Sequence, residues 1–343
     1  METLGHDFAV SAAPEASPVS PPPAPSRHAI DDSWFAVEPS AAAATAVARF
    51  WRAIWRTNAF QAVTVAAEGL GQPLPRLQAA VAAVDLDQRL HPRLYARLAA
   101  LMEAMQRGDG YAVHDIIQAW CVDPPDTWAA QQIITESIAC QVWEAELLAE
   151  VRGTRVENAA APTLFPLLEF DIAPLRAAAE RALTLIAAVD AAMHAEIQAH
   201  VSFIKLFSGP GVEGFSSPKA FGAIWLRLPE PGGELAWFLE HLVHECSHLH
   251  LNALLALDPL LLNPNDLHQA PIRPDPRPLF QVLHGTFVLA RNCRVHRRLV
   301  ERFPELRLER ALAGFEEQFA RGREVVLSSV RSTERGRLLL AEL

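Results

Sequence analysis

The sequence predicts a mainly α protein that carries a small β element of two or three short strands. The chain has 343 residues, of which 50% are hydrophobic, enough for one or two globular domains with a sizeable core. Most segments are rich in Ala and Leu, with apolar residues at helical spacing. Between residues 202 and 228 the hydrophobic period becomes extended, and Gly and Pro clusters separate β-branched and aromatic runs. We therefore expect an α+β fold dominated by helices.

The first half of the chain predicts a disordered arm followed by a helical domain. Residues 1–30 are rich in Pro, Ala and Ser, and such a composition buries too little apolar surface to fold. Residues 31–156 form the predicted helical N-terminal domain. Its predicted helices cover residues 41–67, 77–107 and 127–151.

The second half, residues 157–343, is the predicted metal-site domain. It begins with a break rich in Pro and small residues at 157–166. The elements expected after it are a helix at 174–201, strands at 202–207 and 220–228, helices at 234–257 and 279–302 joined by a Pro-rich loop at 262–278, and a helix at 304–327. The strands and the next two helices follow one another closely, which predicts a compact site module beside the helical body.

The composition excludes several kinds of partner. The formal net charge is -10, whereas nucleic acids and anionic membranes attract basic surfaces. No stretch approaches the roughly 20 uncharged apolar residues of a spanning helix, and the N-terminus lacks the pattern of a secretion signal. The four cysteines form no C-x-x-C pair, as is typical of reduced thiols in the cytoplasm. We expect a cytoplasmic protein that binds neither nucleic acid nor membranes.

The stretch HLVHECSHLHLNALLAL, residues 241–257, contains the pattern H-E-x-x-H. Residues four apart lie on one face of a helix, so His244 and His248 can present imidazoles to one cation. Glu245 is the candidate catalytic residue, because a carboxylate at this position polarises a metal-bound water in hydrolases. Apolar neighbours make unpartnered histidines costly here, and a metal would supply the partner. The alternative is a set of core histidines satisfied by hydrogen bonds.

A third ligand has to come from another element. Glutamate-zinc peptidases take it from an acid on a following helix, but residues 279–300 contain no acid. This predicted helix offers His284, followed by Gly285, which would allow close approach of another backbone. We predict His284 as the third metal ligand; the alternative is a buried structural histidine.

Three arginines near this helix are candidate cofactor-binding residues. Arg273 and Arg277 lie on the Pro-stiffened segment IRPDPRP, and Arg291 follows His284 by seven positions, on the same predicted helix face. Guanidinium groups bind carboxylates through two hydrogen bonds, so one of them could bind a dicarboxylate co-substrate. Solvated loop arginines are the alternative.

Two further features concern the surroundings of the motif. The strand predicted at 220–228 precedes the motif helix, and such a strand can form an edge to which a peptide substrate adds as a further strand. An ordinary packed strand is the alternative. His241 precedes His244 by one helical turn, and we expect it to be a surface or capping histidine.

Three sequence blocks, SSPKAFGAIWLRL, LVHECSHLHLNAL and RPDPRPLFQVLHGTFVLAR, resemble the H-E-x-x-H family of peptide-modification proteins from biosynthetic clusters of ribosomally made, post-translationally modified peptides. The resemblance covers roughly residues 202–300. It implies a non-haem iron, 2-oxoglutarate-dependent dioxygenase that hydroxylates a β-carbon of a precursor peptide. It further implies that His244, His248 and His284 bind Fe(II), and that one or more of the three arginines bind 2-oxoglutarate.

Two other functions remain open. The first is a zinc metallopeptidase in which Glu245 is the general base; the second is a non-catalytic helical protein that binds a peptide and holds a structural metal. Imidazoles suit both zinc and iron. The missing acidic ligand and the Arg-Pro loop favour oxidation. The expected partner is the precursor peptide, and the sequence makes no prediction of the oligomeric state.

Overall fold

A computed structural model describes residues 19–26, 30–138, 142–153, 162–167, 171–270 and 275–343. Over these residues the mainly α fold with a small β element is confirmed. The helices are α1 Ala41–Leu70, α2 Pro75–Ala82, α3 Pro92–Arg107, α4 Gly110–Cys121, α5 Val142–Gly153, α6 Ala173–Val189, α7 Ala191–His200, α8 Glu234–Leu257, α9 Leu279–Arg302, α10 Glu309–Ser329 and α11 Glu334–Ala341. The strands are β1 Arg89–Leu90, β2 Ala129–Ala130, β3 Ile134–Ser137, β4 Phe203–Phe207, β5 Gly214–Ser216, β6 Ala223–Arg227, β7 Leu267–Gln269 and β8 Pro276–Pro278.

The predicted N-terminal arm lies mostly outside the described residues, and its described part, 19–26, has no regular structure. Helix α1 confirms the first predicted helix. It begins after Ser40, whose side chain accepts a hydrogen bond from the Ala43 N–H. It ends at Gly71, whose φ of 65° lies in the left-handed region that favours glycine. The predicted helix at 77–107 is wrong in its middle part, where β1 separates α2 from α3. Pro92 is the reason, because proline is accommodated in the first turn of α3 but not in a helix interior.

The predicted helix at 127–151 is also wrong in its first half, which contains β2 and β3. The β-branched residues Ile133, Ile134 and Thr135 favour the extended conformation of that segment. The predicted helix at 174–201 is interrupted at Asp190. This residue leaves the helical conformation and caps α7, with its carboxylate accepting the Met193 N–H.

Helices α8 and α9 have the predicted bounds. Between them, the predicted Pro-rich loop contains the antiparallel pair β7 and β8. The last predicted helix begins later than expected, at Glu309, and α11 lies beyond the predicted elements. Of the predicted break at 157–166, residues 157–161 lie outside the described part of the chain. Phe165 forms a bridge with Ser208 after the end of β4.

A four-stranded sheet has the order β3-β4-β6-β5. Strands β3, β4 and β6 are parallel, and β5 is antiparallel to β6 at one edge. All residues of β4 are buried, whereas all three residues of β5 are only half-buried. The sheet therefore has a central strand inside the core and an accessible edge next to α8.

One hydrophobic cluster contains residues from both predicted domains, including Trp55 and Leu94 from the first and Phe238 and Val295 from the second. Strand β3 also joins the sheet of the second predicted domain. The boundary between residues 156 and 157 stays a prediction. Across the part of the chain that the structure describes, no helix has both the length and the apolar character that crossing a membrane would require.

Candidate metal centre

Helices α8 and α9 bring together three histidines, which we call the histidine trio: His244, His248 and His284. The Nε2 atoms of His248 and His244 are 3.2 Å apart, and the Nδ1 atoms of His248 and His284 are 3.3 Å apart. The His248 ring thus lies between the other two. All three side chains are partly exposed, although residues beside them on α8, such as Val243 and Leu249, are buried. The trio is therefore less buried than its neighbours on α8.

The imidazoles of the trio are held in their neutral form. Burial, together with His241, lowers the pKa of His244 to about 3, and burial lowers the pKa of His284 to about 4. Burial and the two neighbouring imidazoles lower the pKa of His248 well below its ordinary value. Neutral imidazoles have a free lone pair, which is the form that binds a transition metal.

The donor set of the trio fits a metal such as iron or zinc. Two ligand atoms about 2 Å from one tetrahedral ion are about 3.3 Å apart, so each nitrogen separation suits one pair of ligands. His248 faces His244 with Nε2 and His284 with Nδ1, and one imidazole binds an ion through one nitrogen. The three residues do not offer ligand atoms that all lie within 4.8 Å of one another. Binding one cation through all three would therefore require one ring to turn.

Glu245 lies between the two motif histidines in sequence, but its side chain points to the edge strand β5. Its Oε1 atom would be 2.9 Å from a Cβ added at Gly214, and its Oε2 atom is buried with no hydrogen-bond partner among the described residues. Burial raises the pKa of Glu245 to about 8, and a hydrogen bond from Ser216 opposes the shift. The carboxylate makes no ion pair with the trio among these residues.

The predicted strand at 220–228 is a packed strand, which was the alternative to a peptide-binding edge. Residues 223–227 of the predicted strand form β6, which is covered on one side by β4 and on the other by β5. The accessible edge is β5, and it is Phe215 of β5 that stacks on Trp225 of β6 with 4.9 Å between ring centroids. Because β5 also contacts α8, a chain added to this edge would lie against the motif helix.

The three candidate arginines have different positions. Arg273 lies outside the described residues. Arg277 forms an ion pair with Asp275 at 2.5 Å, and its buried Nε atom has no hydrogen-bond partner in the described part of the chain. Arg291 is 1% exposed and binds the Glu196 carboxylate and the Val37 carbonyl oxygen. Arg291 follows His284 by seven residues, so it lies on the same face of α9 but about 10 Å further along the helix axis, where α9 meets α7.

Three other predictions for this region concern His241, Gly285 and the cysteines. His241 was expected at the surface or at a helix cap, and this was wrong: its ring is buried, stacks on Trp237, and contacts the Trp237 carbonyl oxygen through Nδ1. A Cβ at Gly285 would meet no atom of the described residues within 4 Å, so none of their backbone approaches closely there. Cys121, Cys246 and Cys293 are free thiols, as expected, and Cys140 lies outside the described residues.

A second group of polar residues was not predicted from the sequence; we call it the buried polar cluster: Glu196, His200, His250 and Arg291. His200 Nε2 and His250 Nδ1 are 2.9 Å apart, and Glu196 Oε2 is 3.7 Å from His250 Nδ1. The signal in the sequence was the spacing of Glu196 and His200, which are four apart on a helix and therefore share one face.

No protein-family model matches the chain, and no curated protein matches it either. Its function is therefore inferred from the residues of the trio and their surroundings.

Proposed function

We propose that the chain is a non-haem Fe(II)- and 2-oxoglutarate-dependent dioxygenase that hydroxylates the β-carbon of a residue in a ribosomally made precursor peptide. The observation that supports this most is the histidine trio itself. It consists of three neutral imidazoles from two helices on a partly exposed surface, and no carboxylate among the described residues forms an ion pair with them. Three side-chain ligands leave positions on the metal for a co-substrate and for dioxygen.

His244, His248 and His284 would hold the iron. When bound, it supplies the coupling of dioxygen reduction to decarboxylation of 2-oxoglutarate: one oxygen atom enters succinate, the other replaces peptide C–H by C–OH, and CO₂ leaves. The protein's part is to orient the peptide C–H and to limit access of water. The buried residues around the trio, including Leu242 and Leu283, would limit the access of water.

Strand β5 is the proposed binding edge for the peptide. Its residues are half-buried, it pairs with β6 on one side, and no strand of the described residues pairs with its other side. An extended peptide can pair with such an edge through main-chain hydrogen bonds. Glu245 lies behind this strand, so the peptide would pass close to the motif helix.

Arg277 is the arginine that we assign to a carboxylate of 2-oxoglutarate. It lies in β8, directly before α9, which carries His284. Its Nε atom is unpaired within the described residues, so its guanidinium retains a donor beyond the Asp275 ion pair. Arg291 is not assigned this role, because Glu196 already occupies its guanidinium inside the core.

A zinc metallopeptidase is the second candidate, and the position of Glu245 favours it. The carboxylate adjoins the strand on which a substrate would lie, and its Oε2 atom has no partner in the described part of the chain. In such an enzyme Glu245 would take the proton of a metal-bound water, and the metal would polarise the scissile carbonyl.

One assay separates the two candidates. Protein purified without oxygen is incubated with Fe(II), 2-oxoglutarate and a synthetic precursor peptide encoded near its gene, and air is then admitted. A peptide one oxygen atom heavier, with one succinate formed per hydroxylation, supports the dioxygenase. Two peptide fragments that also form with zinc and without air support the peptidase. An unchanged peptide under both conditions overturns both. His284→Ala should abolish product, whereas His296→Ala, which removes a buried histidine elsewhere on α9, should retain it.

A further inference from the structure

We propose that the buried polar cluster is a second, structural metal site, in which Glu196, His200 and His250 bind a divalent cation of the zinc class. Each of these residues offers one ligand atom, and these atoms all lie within 4.8 Å of one another. The site is separate from the histidine trio and does not depend on the proposed oxidation.

The three ligands come from two packed helices. Glu196 and His200 share one face of α7, and His250 lies on α8. His250 follows His248 by two residues, which turns its side chain about 200° around the helix axis. The two histidines therefore point to opposite sides of α8, and each can serve a different metal.

The distances within the cluster are compatible with one small cation, and the shorter one, between His200 Nε2 and His250 Nδ1, is also that of a hydrogen bond. Ligands about 2 Å from a tetrahedral ion are about 3.3 Å apart, and the measured separations, 2.9 Å and 3.7 Å, lie on either side of that value. At 3.7 Å, Glu196 Oε2 is too far from His250 Nδ1 for a hydrogen bond. Glu196 Oε2 is buried and has no hydrogen-bond partner among the described residues.

The surroundings of the cluster are those of a closed site. Glu196, His200 and His250 are at most 2% exposed. Zinc sites of this closed kind are structural, whereas catalytic ones keep an accessible position. Arg291 binds the other carboxylate oxygen of Glu196, Oε1, and such outer contacts orient a metal ligand.

Charge balance involves one further residue. Glu196 and Arg291 carry opposite charges, so a divalent cation would add positive charge to the core. The nearest thiol, that of Cys246, lies 4.0 Å from Glu196 Oε1, the oxygen that Arg291 binds, and is not assigned as a ligand. Two imidazoles and one carboxylate are a ligand set that zinc takes in proteins.

The number of zinc ions bound by the full-length chain tests the proposal. Protein stripped with a chelator is titrated with Zn²⁺ against a chromophoric competitor, and retained zinc is counted by mass spectrometry. The wild type should bind two equivalents, and the double variant His244→Ala/His248→Ala should keep one. Glu196→Gln should also keep one, which the trio binds. The buried-histidine control His296→Ala should bind two.

The double variant decides between the outcomes, because it leaves the buried polar cluster intact. Its result does not depend on whether Glu196→Gln folds. One tightly bound zinc in that variant supports the second site, even if the wild type shows no oxidation of peptide. No tightly bound zinc in a double variant that circular dichroism shows to be folded overturns it. Failure of the proposed function would instead appear as a missing product with both zinc equivalents present.

Discussion

The two faces of α8 use the same residue types in different ways. On one face, His244 and His248 join His284 on a partly exposed surface, and no acid among the described residues is paired with them. On the other face, His250 lies in the core with a glutamate and an arginine whose charges compensate each other. Exposure and charge pairing, rather than residue identity, distinguish the two groups.

Under the proposed function, the two groups have different tasks. A catalytic metal needs an accessible position for substrate, which a closed site lacks. The trio is half-buried, and its helix α8 contacts β5, the edge strand of the sheet. The buried polar cluster instead joins α7, α8 and α9, and so fixes the relative positions of the two helices that carry the trio. Substitutions in the buried polar cluster should therefore mainly lower stability. Substitutions in the trio should mainly lower activity.

The largest expected effect on stability comes from Glu196→Ala. It leaves Arg291 buried without its carboxylate, and breaking a buried ion pair in this way costs about 3–5 kcal/mol. Urea unfolding followed by circular dichroism measures the loss. The control is Glu38→Ala, since Glu38 is 70% exposed in its pair with Arg294 and such pairs contribute about 0–1 kcal/mol. Equal losses in the two variants would contradict the assigned role of the cluster.

The largest expected effect on activity comes from His248→Ala, because His248 contacts both other members of the trio. Loss of an outer contact to a metal ligand costs about 10–100-fold, so loss of the central ligand should lower product formation by more than about 100-fold. Product is quantified by mass spectrometry, and unfolding is measured in parallel. Activity within about threefold of the wild type would exclude His248 as a ligand.

Gly214→Ala tests the contact between the edge strand and the motif helix. The added Cβ would be 2.9 Å from Glu245 Oε1 and 3.0 Å from Leu226 Cδ2, so the strand or the carboxylate must move. We expect a loss of about 1–3 kcal/mol in the free energy of unfolding, and a fall of about tenfold in product formation as β5 shifts. Unchanged kinetics at saturating and limiting peptide would argue against β5 as the binding edge.

His296 is a buried histidine outside both groups, and it provides a reference for acid sensitivity. Burial lowers its pKa from 6.5 to about 4, so the folded state favours its neutral form. Its contribution to stability is present above pH 6.5 and is lost as the pH falls towards 4. His296→Gln should therefore lose less stability than the wild type over this interval, by about 1–3 kcal/mol. Parallel curves of unfolding free energy against pH would contradict this.

The smallest effect is expected at Gly285, next to His284. A Cβ there meets no atom within 4 Å, and the residue lies inside α9. Gly285→Ala should raise the free energy of unfolding by about 0.5–1 kcal/mol through helix propensity. The rate of product formation should stay the same. A loss of stability would indicate a close approach that the geometry does not show.

Local sequence patterns predicted the two helices that carry the H-E-x-x-H motif and His284. The features that were not predicted depend on contacts between residues far apart in the chain. Helices α8 and α9 have strong apolar periodicity and Pro or Gly at their borders, which made their bounds predictable. The trio followed from motif spacing and from the absence of acids in residues 279–300. Whether it binds a metal stays a prediction.

The buried polar cluster could not be found in the same way. His200 and His250 are 50 positions apart, and Arg291 meets Glu196 across 95 positions. Their contact depends on how α7 packs against α8 and α9, which helical periodicity does not specify. For the same reason, Arg291 had the face expected of a co-substrate ligand but the wrong position along the helix. The edge strand β5 was also not predicted, because the short segment 214–216 has no strand signal of its own.

The most direct test of the central claim is anomalous diffraction at the iron edge, from crystals grown without oxygen in the presence of Fe(II) and 2-oxoglutarate. We expect a peak roughly 2 Å from one ring nitrogen each of His244, His248 and His284, with the keto acid completing the shell. A peak bonded to only two of these histidines, with a carboxylate in place of His284, would contradict it and favour the peptidase.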